Sequence, residues 1–105
     1  IRGLGLRVVG GKGGLDAAST SAMRECGCIY LSFLGGSCAL LSRALREVVS
    51  VHWNEYISQF RLVTLRVAGL GPGTVAIDAR GNSLYESLRL AAQKKLPSLL
   101  QALKD

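Results

Sequence analysis

Leu6-Arg7-Val8-Val9 is a short β-prone run that stops at a glycine loop, Gly10-Gly11-Lys12-Gly13-Gly14. From Leu15 the apolar positions switch to helical spacing: Leu15, Ala18, Ala22, Met23 and Cys26 fall on one face. Asp16 falls in the first turn, where a carboxylate complements the helix dipole, and Gly27 is a natural C-terminal stop. Cys28 to Leu34 follows as a continuous apolar run of strand length. A run without alternation reads as a strand buried on both faces, the habit of parallel sheets. Gly35-Gly36-Ser37 then opens a second helix, capped by Ser37, with apolar positions at Leu40, Leu41, Ala44, Leu45 and Val48. A strand, a glycine loop and a helix thus occur twice in succession.

Beyond Val48 the pattern turns to strands: Val49 to Trp53, Arg61 to Val67 with clear alternation, and Thr74 to Asp78. Gly69-Leu70-Gly71-Pro72-Gly73 is a turn between the last two, and Arg80-Gly81-Asn82 is another. A helix with Leu84, Leu88, Ala92 and Leu96 on one face closes the chain, and Pro97 opens a last short helical turn. Lys94 and Lys95 suit the negative end of that helix. A β-rich middle with one good helix after it is not a plain doubly wound sheet. The fold class is α/β, a mixed sheet with flanking helices.

Composition sharpens this picture. The 105 residues leave room for one domain, 1–105. Apolar residues are 49% of the chain and charged residues 19%, with a mean hydropathy of +0.29. So much apolar surface on so short a chain implies that part of it faces another domain or subunit, and an oligomer rather than a monomer. The longest uncharged stretch, Cys26 to Ser42, is shorter than the roughly 20 residues a spanning helix needs. No membrane span is expected, and no secretory leader is visible in Ile1-Arg2-Gly3-Leu4. The absence of an initiator Met reads as a processed or truncated piece. The net charge is +6, but the basic residues are scattered and lack aromatic platforms, so nucleic-acid binding is not expected. Three cysteines in no CxxC pair suit reduced thiols in a cytoplasmic setting and no metal site.

The candidate chemistry lies in the glycine loop. A helix N-terminus presents unpaired N–H groups and partial positive charge, glycines let backbone approach a ligand closely, and Lys12 adds a full charge. An anion site follows. It is not a P-loop, because Gly13 follows Lys12 and Leu6 stands where the first glycine is required, and G-x-G-x-x-G does not fit either.

Three stretches resemble the β subunit, or C-terminal domain, of class I fumarases and tartrate dehydratases. They are Val9-Gly10-Gly11-Lys12-Gly13-Gly14-Leu15-Asp16, Gly27-Cys28-Ile29-Tyr30-Leu31 through Gly35-Gly36-Ser37, and Val75-Ala76-Ile77-Asp78-Ala79-Arg80-Gly81-Asn82-Ser83-Leu84-Tyr85. Tyr56-Ile57-Ser58-Gln59-Phe60 departs from the family wording. The resemblance implies a partial swivelling β/β/α domain of a hydro-lyase acting on a dicarboxylate, such as fumarate/malate or tartrate/oxaloacetate. It implies a [4Fe-4S] cluster carried by a partner α subunit or N-terminal domain, so that Cys26, Cys28 and Cys38 are not ligands. Lys12 matches the family's active-site lysine. The loop chemistry adds the backbone of Gly11, Gly13 and Gly14 as substrate-binding positions, and the start of the second helix adds Gly36 and Ser37. The family's G-P-T-x-x-x-R-M-D segment would lie upstream of Ile1, which implies truncation on the N-terminal side and an isolated chain without activity. The alternative is a non-catalytic anion-binding or assembly module that keeps the fold.

The remaining polar residues read as structural. His52 has no apparent partner, Asp78 and Asn82 shape a turn, and Cys28 and Cys38 pack as small apolar groups.

Overall fold

The computed structural model describes residues 1–33 and 35–104, with the side chains of Ser37 and Cys38 outside that description. The chain divides into two compact units, Ile1–Ser32 with Thr74–Asp105 and Phe33–Gly73.

In the first unit, strand β1 (Val8–Gly11) leads through the Lys12 loop to helix α1 (Ala17–Cys26), strand β2 (Ile29–Ser32), strand β5 (Thr74–Ile77) and helix α3 (Leu84–Ala102). The glycine loop is therefore shorter than expected, because Gly10 and Gly11 pair in the sheet. Asp16 is not inside the first turn but caps it: its Oδ1 accepts the Ser19 amide at 2.7 Å. An aspartate with extended backbone just before a helix satisfies one of the free donors there. At the other end Gly27 adopts φ 63°, ψ 39°, the left-handed stop that its sequence position suggested.

β2 is the central strand, parallel to β1 and antiparallel to β5, so the sheet is mixed. Leu34, expected at the end of β2, lies outside the described residues. Val9, Tyr30 and Ile77 stand opposite one another across the three strands and so share a face. Met23, Cys28, Tyr30, Ala76 and Ile77 form the core of this unit, with Met23, Cys28 and Ile77 fully buried. Cys28 is thus a small core hydrophobe, as expected; the Cys38 side chain lies outside the described residues.

α3 runs uninterrupted through Pro97, which begins no new turn of helix. Lys94 and Lys95 consequently lie in its body, and no basic residue occupies its last turn. A proline inside a helix costs one backbone donor, but it does not end this one. None of the residues of α3 is buried: Leu84, Leu88 and Leu96, expected on its inward face, are 49%, 68% and 51% exposed.

The second unit holds a short 3-10 turn (Gly35–Ser37), helix α2 (Cys38–Ser42), and strands β3 (Leu45–His52) and β4 (Leu62–Val67), which form an antiparallel hairpin. The second helix is therefore five residues long, and Leu45 and Val48 belong to a strand instead. The reason is legible in the register. β3 carries bulges between Leu45 and Glu47 and between Val48 and Ser50. Each extra residue shifts the pleat, so Leu45, Val48 and Val51 point the same way at a spacing of three. That spacing imitates a helix. Opposite them stand Val67, Leu65 and Val63, and the other face carries the Glu47–Arg66, Ser50–Thr64 and His52–Leu62 pairs. The apolar face of this hairpin is exposed, from 36% at Val51 to 59% at Val48.

No described helix is long and apolar enough to cross a membrane. The mixed sheets with flanking helices are the α/β class read from the sequence.

Candidate functional site

The loop between β1 and α1 is built on two tyrosine rings. A methyl group at Gly14 would lie 3.1 Å from Cγ and 3.2 Å from Cδ2 of Tyr85, and one at Gly11 would lie 3.2 Å from Oη of Tyr30. Contacts this tight are uncommon for side-chain carbons, and a methyl at either position would require the ring to give by a few tenths of an ångström. The rings meet edge to face, with centroids 6.3 Å apart and planes at 65°, a favourable aromatic geometry. Gly13, between the two supports, needs glycine for a different reason: its φ is +84° with open space around it.

Lys12 is exposed and makes no hydrogen bond or ion pair among the described residues. The Gly13 and Gly14 amides likewise donate no hydrogen bond to the described residues. A lysine on the same short loop as two unpaired backbone donors is a combination that suits a carboxylate. The mouth of α1 contributes less than its position suggests. Asp16 already occupies it, and hydrogen bonds from Ser19 hold its carboxyl below the usual carboxylate range. What the loop could offer an anion is therefore the Lys12 charge and the loop amides rather than the helix dipole.

Behind the loop, burial pushes the Tyr30 phenol up, and the neighbouring Tyr85 phenol acts in the same direction. The Tyr85 hydroxyl is buried without a hydrogen-bond partner among the described residues. A cleft of about 630 Å³ in this unit is lined by α1, α3 and the residues that lead into them, including Asp16, Thr20, Asn82, Tyr85 and Arg89; Lys12 is not among its walls. Neither tyrosine was singled out as a functional residue from the sequence. Tyr30 sits in an apolar run and Tyr85 opens a helix, and only three-dimensional contact ties them to glycines far away in the chain.

Gly36 belongs to the second unit and is exposed, with none of the described residues beyond its chain neighbours within 4 Å of where a methyl would stand. The Ser37 side chain, expected both to cap α2 and to touch substrate, lies outside the described residues. His52 is exposed and pairs with the Ser50 hydroxyl at 3.1 Å. Asp78 organises its turn as expected: Oδ1 accepts the amides of Arg80 and Asn82, each at 2.9 Å, and Oδ2 accepts Nδ2 of Asn82 at 2.7 Å. Those bonds, chiefly from Asn82, hold its carboxyl below the usual range. Among the described residues no group of three His, Cys, Asp or Glu could hold a metal ion.

Residues 1–88, which include this loop, the sheet and the Asp78 turn, match the family model described as "Fumarase C-terminus". The chain belongs to that family. The fumarase C-terminal match extends to curated proteins. A Methanocaldococcus jannaschii protein provisionally named as an L(+)-tartrate dehydratase β subunit is 33% identical over 91 residues, covering 86% of this chain and 47% of that protein. The L(+)-tartrate dehydratase β subunit of Escherichia coli is 31% identical over 98 residues, 92% of this chain and 49% of its own. A Geobacillus stearothermophilus protein provisionally named as a class I fumarate hydratase is 30% identical over 96 residues, 91% of this chain and 18% of its own. This fumarase C-terminal chain thus spans about half the length of the curated β subunits it matches.

Proposed function

We propose that this chain is part of a hydro-lyase domain and supplies the carboxylate-binding element for a dicarboxylate such as malate/fumarate or tartrate/oxaloacetate. The observation that carries the reading is Lys12, exposed and without an ion partner among the described residues, next in sequence to Gly13 and Gly14, whose amides are free among those same residues, on a loop held at both ends. Loss of water next to a carboxylate builds negative charge on that group, and a fixed cation with oriented N–H donors opposes it. The related β subunits are named as tartrate dehydratase components, which supports a partner α subunit or domain completing the site. In this reading the [4Fe-4S] group is carried by the partner α subunit or domain, and Cys26, Cys28 and Cys38 are not its ligands.

The test is reconstitution with an α subunit under anaerobic conditions, followed by a hydration assay. Lys12→Ala is expected to lower kcat/KM by about 100-fold or more, as losses of charge-stabilising donors do. Full turnover by the Lys12→Ala complex would refute the role.

A second reading, a non-catalytic anion-binding or assembly module, draws on the exposed apolar faces of α3 and of the β3–β4 hairpin. It predicts association with a partner and no hydration activity after reconstitution.

A further inference from the structure

We infer that Tyr85 is a positioning residue for the Lys12 loop, acting through its ring on Gly14. The inference rests on the carboxylate-binding reading of Lys12 given above and adds the residue that holds that loop in place.

Tyr85 sits in the first turn of α3, a point with several restraints. Ser83 caps the helix by accepting the Glu86 amide and forms an isolated bridge with Ile77 of β5. Asp78 and Asn82 close the turn between them, with the Asp78 amide donating to the Asn82 carbonyl at 3.0 Å. The ring is therefore tied to the edge of the sheet before it meets the loop. It packs against the core cluster and against Tyr30, and it presents Cγ and both Cδ atoms to the backbone of Gly14. Tyr30 supports the opposite end at Gly11. Only Lys12 and Gly13 hang between the two supports, so a shift of the Tyr85 ring moves the lysine and the two free amides together. The hydroxyl has no partner among the described residues. What touches the loop is the ring, and phenylalanine supplies the same ring.

The experiment is amide NMR on the full chain, free and titrated with L-malate, for the wild type, Lys12→Ala, Tyr85→Phe and Tyr85→Leu. In the free chain, Tyr85→Leu is expected to shift the Gly11, Gly13 and Gly14 amides and speed their hydrogen exchange, while Tyr85→Phe leaves both near wild type. In the titration, Tyr85→Leu is expected to weaken malate binding about tenfold, in keeping with the cost of small misplacements, and Tyr85→Phe by less than about twofold. Loop amides unmoved in Tyr85→Leu would overturn the inference whatever malate does. Malate binding unchanged by Lys12→Ala would instead overturn the carboxylate reading, and the free-chain comparison would still decide the role of Tyr85. If Tyr85→Leu does not fold, Gly14→Ala takes its place, because its methyl must displace the ring. Tyr85 ring resonances unchanged in Gly14→Ala would equally refute the contact.

Discussion

Replacing Met23 by alanine probes the packing that holds the Lys12 loop's supports together. Met23 is fully buried in α1 and belongs to a core whose other members are Cys28, Tyr30, Ala76 and Ile77. Deleting a buried methionine side chain costs the lost transfer energy plus a cavity, about 2–5 kcal/mol. A chain of this size has about 5–15 kcal/mol of stability in total, so the change removes a large share. A loss of about 3 kcal/mol raises the unfolding constant roughly 150-fold, since each 1.4 kcal/mol is about tenfold. The assay is urea unfolding followed by far-ultraviolet circular dichroism, which senses α1 and α3, both in the first unit. Leu103→Ala is the control: Leu103 is 84% exposed, and its removal is expected to change stability by less than about 0.5 kcal/mol. A Met23→Ala loss below about 1 kcal/mol at an unchanged urea slope would refute the assignment of this cluster as the core.

Two further predictions concern single backbone and turn positions. Gly27→Ala places a Cβ on a residue at φ 63° and is expected to destabilise by about 1–2 kcal/mol; an unchanged urea midpoint would show that α1 can end without a left-handed residue. Asp78 has its carboxyl held below the usual range by bonds from Asn82 and Arg80, so its folded value lies below its unfolded one. Its contribution is present above the ordinary carboxylate range and is lost as pH falls through the depressed folded value. The gap in urea midpoint between wild type and Asp78→Asn should therefore narrow on acidification, and a gap independent of pH would contradict the assignment.

Much of the first unit was legible because its signals are local. The switch from Leu6–Val9 to helical spacing, the stop at Gly27 and the Asp78–Asn82 turn each depend on neighbours a few residues away. The second half of β3 was legible as the strand run from Val49, but Leu45 and Val48 were not, since two bulges gave them, with Val51, the spacing of a helix face. Periodicity cannot separate a bulged strand from a short helix until its partner strand is known. The extent of α3 was misjudged for a related reason: Pro97 is a boundary signal by local chemistry, but a helix can run through one lost donor.

At the loop, the division between sequence and structure falls inside a single motif. The pattern Gly10 to Gly14 was enough to mark Lys12 and to suggest an anion, because charge and backbone freedom are properties of the residues themselves. It could not say that Gly11 and Gly14 lie against Tyr30 and Tyr85, or that Asp16 already holds the mouth of α1. Those are contacts and cap geometry, set by where a sheet and the first turn of a distant helix come to rest. Steric exclusion acts between atoms close in space, whatever their separation along the chain, and only the folded arrangement decides which atoms those are.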